Sequence, residues 1–209
     1  MSEVGLQQAK SQRARQAICA ATIESLVDVG YAETSLNRVA AAAGFSKGAL
    51  QHHFPNKEDL IAATVDELLT STNEIPTRLL EAESVEQMLM VSWQRYINTP
   101  AYRALMEILS AARTDRALQN RISRELIEWG QKLDQQTLDS YVAVSGDDAE
   151  AVMLLNMTRS FMRGLLLQER YGASQEQTDQ YVYKWIEMIA PLLELRPQCR
   201  AERAGFGLC

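Results

Sequence analysis

The sequence predicts an all-α protein of about nine helices, a small three-helix head followed by a larger helical bundle. Three observations predict it. Apolar residues recur at three- and four-residue intervals along almost the whole chain, and no segment alternates with the two-residue period of a half-buried strand. Capping residues, glycines and prolines interrupt that periodicity at regular points. Of the 209 residues, 46% are hydrophobic and 23% charged, which is ample for a buried core and unlike a disordered composition.

The elements follow in order. Helix one covers about Gln8–Val29, with Ile18, Ala21, Thr22, Leu26 and Val29 as its buried stripe and Gly30 as its stop. Helix two begins at the N-cap Ser35 and runs to about Ala43, before Gly44. Helix three spans Ser46–His52 with Ser46 as cap. Pro55 then breaks the chain, and Asn56 caps helix four, about Lys57–Ser71, with Glu58 and Asp59 in its first turn. The stripe of helix four is Leu60, Ile61, Thr64, Val65 and Leu68, and an interruption follows at Asn73–Pro76. Ser84 with Gln87 forms a capping box for helix five, about Val85–Asn98. Thr99-Pro100 opens helix six, to about Ala112. Helix seven carries Leu118, Ile122, Leu126, Trp129 and Leu133 and reaches Tyr141; Ser145-Gly146-Asp147 is a turn. Helix eight, Asp148–Arg170, ends at Tyr171-Gly172. Ser174 with Gln177 caps helix nine, to about Leu195, with Pro191 able to kink or shorten it. The domains are read as 8–57 and 58–195, with 196–209 a mobile tail.

Composition excludes several classes. No window approaches a membrane span, and the N-terminal residues lack the apolar core of a signal peptide, so a cytoplasmic location is expected. Three cysteines give no disulfide framework, no Cys/His spacing reads as a metal site, and two adjacent histidines leave little for His-based catalysis. No cofactor, metal or enzymatic activity is expected. The net charge of −6 is uneven: residues 1–57 hold six Lys and Arg against four carboxylates, +2, which leaves −8 for the rest. A mildly basic front with an acidic rear fits a protein that meets phosphates at one end.

Two short helices joined by a glycine-containing turn are the sequence form of a helix-turn-helix. Ala40, Ala42 and Ala43 allow the helices to cross closely, and Gly44 supplies the positive φ of the turn. Phe45 and Leu50 point inward, and Phe54 joins them in the core. Ser46, Lys47, Ala49, Gln51 and His52 are left on the outer faces, where a helix can enter the major groove.

At these residues the chain resembles the tetracycline-repressor (TetR) family of transcriptional regulators. The matching pieces are Gly30-Tyr31, Thr34-Ser35-Leu36, Val39-Ala40, Ala43-Gly44-Phe45-Ser46-Lys47-Gly48, Leu50, His53-Phe54 and Lys57-Glu58-Asp59-Leu60. The resemblance implies that Ser35, Lys57 and His53 hold phosphates, and that Lys47, Gly48, Ala49 and His52 lie at base edges or nearby backbone. The chain departs from the family's pattern at Gln51, where tyrosine is usual. Gln51 can donate to phosphate or read adenine with both ends of its amide.

The resemblance also implies that the rear bundle binds a small effector and dimerises. Met88, Ser92, Trp93, Tyr96, Met106, Trp129, Met157 and Phe161 are the candidate lining of an adaptable apolar cavity for a small apolar or amphipathic effector. Arg159 and Arg163 are one turn apart on helix eight and could pair with an acidic ligand or across an interface. Helices eight and nine carry apolar residues on more than one face; Leu166, Val182, Trp185 and Ile189 are the candidate homodimer contacts. The expected function is a DNA-binding regulator, a repressor released from a palindromic operator by a small molecule. The alternatives are a small-molecule or lipid carrier whose head has lost DNA binding, activation in place of repression, and a helical enzyme, against which stands the lack of a nucleophile–base pair, metal set or phosphate loop.

Overall fold

The computed structural model describes residues 3–73, 82–168, 171–172 and 174–196. Among them the chain is nearly all-α, with nine α-helices: α1 (Glu3–Glu33), α2 (Leu36–Ala42), α3 (Lys47–His53), α4 (Lys57–Asn73), α5 (Val85–Ser92), α6 (Pro100–Ala112), α7 (Arg116–Ser140), α8 (Asp148–Gln168) and α9 (Gln175–Ile189). It divides into two compact units, Met1–Thr72 with Pro100–Ile127, and Asn73–Thr99 with Glu128–Cys209. The sequence boundary at 57/58 is not where they part: α6 packs along α1 within the first unit. The expected tail lies outside the described residues except Arg196. That residue is tied down, its N–H to the Ser140 carbonyl at 3.0 Å and its side chain to the Tyr141 carbonyl at 3.0 Å and to Asp148.

In the first unit, α1 starts earlier than its periodicity suggests and is broken at Gly30, whose backbone (φ 76, ψ 176) leaves the helical region. A side chain there would strain the left-handed conformation and bring its Cβ to 3.1 Å from the Glu107 carboxylate. The next residues fold back on α1. The Gly30 carbonyl accepts both the Thr34 N–H at 3.2 Å and the Thr34 hydroxyl at 2.8 Å, and the Thr34 and Ser25 hydroxyls pair at 3.0 Å. Ile18, Ala21, Val39, Ala40, Leu50, Phe54 and Leu60 form one buried cluster from α1, α2, α3 and α4. Cys19 lies in it as a free thiol, its pKa pushed up by burial.

In the second unit the structure departs from the sequence pattern at four points. Helix five is not α-helical to Asn98: Trp93–Ile97 form a π-helical turn closed by Asn98 N–H to the Trp93 carbonyl at 2.8 Å. Helix nine stops at Ile189, a 3₁₀ turn at Ala190–Leu192 follows, and Pro191, lacking an N–H, accounts for the stop. Two three-residue strands also exist where none was expected. β1 (Tyr141–Ala143) pairs antiparallel with β2 (Leu193–Leu195), Val142 opposite Glu194. Three residues are too few to show an alternating pattern. The cap at Ser174 and Gln177 is reciprocal, as expected. At Ser84 the hydroxyl accepts the Gln87 N–H at 3.3 Å, but the Gln87 side chain reaches Glu83 N–H instead.

Candidate DNA-binding site

The head is assembled from local rules. Ser35 caps α2 in an extended conformation and accepts the Arg38 N–H at 3.3 Å. Helix α2 ends on Gly44 at φ 73, where Gly44 N–H bonds the Ala41 carbonyl at 3.3 Å and Phe45 N–H the Ala40 carbonyl at 2.9 Å. Those two bonds close the end of α2 and start the chain toward α3. Ser46 then caps α3, accepting the Ala49 N–H at 3.2 Å.

Leu50 and Phe54 are 0% and 1% exposed, and they fix which way α3 faces. Ser46, Lys47, Gly48, Ala49, Gln51 and His52 are exposed together on its other sides. No bond of the described residues occupies the Lys47 ammonium or the Gln51 amide, so both ends of that amide are available to a partner. Ser35 is exposed at the cap of α2.

The two other expected phosphate contacts sit differently. His53 is half-buried, with its ring edge-on to His52 at 5.6 Å and tilted to Phe54 at 6.5 Å. Burial, then the neighbouring His52 and Arg15, lowers its pKa by disfavouring the charged ring. Lys57 is half-buried at the start of α4. Its ammonium donates to the Tyr31 carbonyl at 2.5 Å and stands 4.0 Å from the Tyr31 ring centroid. Burial lowers its pKa against the pull of Glu58, Asp115 and Glu33.

Sequence reasoning gave no role to Arg15. Its guanidinium lies 4.4 Å from the Phe54 ring centroid and donates to the His53 carbonyl at 3.2 Å, so it closes the C-terminal end of α3. The only sequence signal was a basic residue 38 positions upstream. Beside it lies an open cleft of about 530 Å³, lined by side chains of both charges, among them Arg15, Asp59, Asp66 and Arg124. Arg121 and Asp59 pair within it at 3.1 Å.

The candidate effector residues are divided between the two compact units. Met106 belongs to the first unit and is half-buried, whereas the other seven belong to the second. Met88, Trp93 and Trp129 are buried and Phe161 stacks on Trp185 at 4.5 Å. Met157 is 47% exposed, because Leu154, Leu155, Thr158, Met162, Leu165 and Leu166 take the buried stripe of α8. Most polar groups here are already paired. Trp93 Nε1 donates to Asp179 at 3.0 Å, Trp185 Nε1 to Thr158 at 3.1 Å, Ser92 to the Met88 carbonyl at 2.8 Å and Arg159 to Thr137 at 2.6 Å. The Tyr96 hydroxyl, on the π-helical turn, is buried without a partner among the described residues, and burial raises its pKa.

Of the candidate dimer contacts, Leu166, Val182 and Ile189 are buried inside the single chain and Trp185 is half-buried. They serve the core of one chain. The apolar side chains that α8 and α9 leave outside are Met153, Met157, Leu167, Tyr181, Tyr183 and Met188, with Leu192 just beyond. Among the described residues no helix is long and apolar enough to cross a membrane, and no three His, Cys, Asp or Glu gather as metal ligands.

Residues 18–64 match the sequence profile of a family described as bacterial regulatory proteins, tetR family. The chain is 28% identical over 167 residues to the HTH-type transcriptional regulator CymR of Pseudomonas putida, covering 77% of this chain and 81% of that one. Among solved structures, a TetR-family regulator from Cytophaga hutchinsonii aligns at TM-score 0.66 and 21% identity, over 90% of this chain and 98% of that one. A structure from Saccharomonospora viridis in complex with choline aligns at TM-score 0.63 and 15% identity, over 88% and 100%. These likenesses to solved structures show the fold.

Proposed function

We propose that the chain is a helix-turn-helix transcriptional regulator of the TetR family of bacterial regulatory proteins, as its match to that family's profile and its likeness to CymR support. It is a repressor that binds a palindromic operator as a homodimer and is released by a small effector. The observation that carries the DNA reading is the exposed face of α3, where Lys47, Gly48, Ala49, Gln51 and His52 stand out around the buried Leu50 and Phe54. Lys47 and Gln51 meet base edges, with Ser46 beside them, and Ser35, His53 and Lys57 hold the flanking phosphates. Two heads about 34–36 Å apart meet successive major grooves.

The exposed methionines, leucine and tyrosines of α8 and α9 support the dimer, since a surface of that kind is costly to leave in water. The effector sits in the second unit. The unpartnered Tyr96 hydroxyl supports this, because buried polar atoms are nearly always paired. An effector that binds better to the form with the wrong head spacing shifts the population off DNA. The cytoplasm is where such a regulator works.

Fluorescence anisotropy with a duplex of the protein's own promoter region tests the core of this. The double variant Lys47→Ala, Gln51→Ala loses about 2–4 kcal/mol, roughly 30- to 1000-fold in affinity. Wild-type affinity in that variant would show that α3 is not the reading helix.

A further inference from the structure

We infer that Asp115 and Tyr31, outside the helix-turn-helix itself, are positioning residues that hold the Lys57 ammonium where it meets a DNA phosphate. This rests on the reading of Lys57 as a phosphate contact.

A lysine on a free four-carbon stem samples many rotamers, and binding must then fix them. Here the stem is fixed beforehand. The turn after Gly30 folds Tyr31 toward the first residue of α4, and one N–H of Lys57 is given to the Tyr31 carbonyl at 2.5 Å. The Tyr31 ring lies beneath the ammonium at 4.0 Å from its centroid. An ammonium has three N–H groups, so a carbonyl and a ring face still leave donor capacity for one acceptor.

Tyr31 is in turn held at its far end. Its hydroxyl donates to Asp115 Oδ2 at 3.4 Å, while Asp115 Oδ1 accepts the Leu118 N–H at 3.0 Å and so caps α7. Asp115, Tyr31 and Lys57 thus form one chain of contacts from the N-cap of α7 to the first residue of α4. All three residues lie in the first compact unit. The long-range links span 84 and 26 positions of sequence, so neither is a by-product of helix formation. The high pKa of Tyr31, about 12, raised by burial and then by Asp115, keeps the phenol a donor at any working pH.

The test uses two variants that cut the relay at different points. Tyr31→Phe keeps the ring and the carbonyl but removes the link to Asp115. Asp115→Ser keeps an N-cap for α7 but cannot reach the phenol. Each is measured alone and combined with Lys57→Gln on the promoter duplex, from about 50 to 200 mM salt, with far-UV circular dichroism to show that α-helix is retained. Lys57→Gln alone lowers the slope of log K against log salt by about 0.9. With Lys57 in place, Tyr31→Phe and Asp115→Ser each weaken binding about three- to tenfold with no change of slope; added to Lys57→Gln, neither weakens it further. Equal losses with and without Lys57, with the slope still lowered by Lys57→Gln, would leave the phosphate contact standing and overturn the relay. An unchanged slope in Lys57→Gln would overturn the phosphate reading and the relay with it.

Discussion

In the first unit the exposed face of α3 is small and polar, from Ser46 to His52, while in the second the exposed faces of α8 and α9 carry Met153, Met157, Leu167, Tyr181 and Met188. The interiors differ as well. The head cluster is built from aliphatic residues with Cys19 and Phe54, and serine and threonine hydroxyls are used at caps and turns. The second unit holds all three tryptophans of the chain, and two of their indoles pair with Asp179 and Thr158 from α9 and α8. A surface that must read DNA needs unpaired donors facing water. A surface that must meet another copy of itself needs apolar area. The contrast fits the different partners proposed for the two units.

The largest effect that would sharpen this contrast is in the head core. Phe54→Ala removes the largest side chain of the cluster and the ring beneath Arg15, at a cost of about 3–5 kcal/mol. DNA binding is lost, yet tryptophan emission, which reports on the second unit alone, keeps its folded maximum. A parallel loss of tryptophan signal at the same temperature would show that the two units do not differ in this way. A second variant addresses the outer face of α8 and α9. Met157→Glu with Met188→Glu, both exposed in the single chain, gives a species with the sedimentation of one chain and unchanged helix content. A dimer that survives both charges places the interface elsewhere.

The smallest effect concerns pH. Tyr31 ionises at about 12 in the folded chain against 10 when unfolded, its pKa raised by burial and then by Asp115. A raised folded pKa means that the stabilising contribution is complete below pH 10 and is lost as pH climbs toward 12. Over that window wild type loses more urea stability than Tyr31→Phe, in which the group is absent. Equal losses would show that Asp115 and burial do not act on this phenol.

Much of the head was legible in the sequence. Ser35, Ser46 and Asn56 cap helices as read, Gly44 takes the positive φ of the turn, and Leu50 and Phe54 are buried. The outward face of α3 follows from those two alone, because a seven-residue helix anchored at two points has one orientation left. The second unit was legible as helices but not as a site. Its aromatic and methionine residues suit a core and a cavity equally well by periodicity. Met157 and Leu166 illustrate this: both are apolar residues of α8, and one is exposed while the other is buried.

By itself, then, the sequence determined the helices of the head, their caps, the break at Gly30 and the turn at Gly44. Each depends on interactions within a few residues, such as a side chain capping an N–H three positions on or a φ that only glycine adopts freely. Tertiary structure alone decided that Lys57 rests on Tyr31, that Arg15 closes α3, that Tyr141–Ala143 pairs with Leu193–Leu195, and which face of α8 stays outside. These are contacts between distant segments. They depend on how already formed helices pack, which composition and periodicity do not encode.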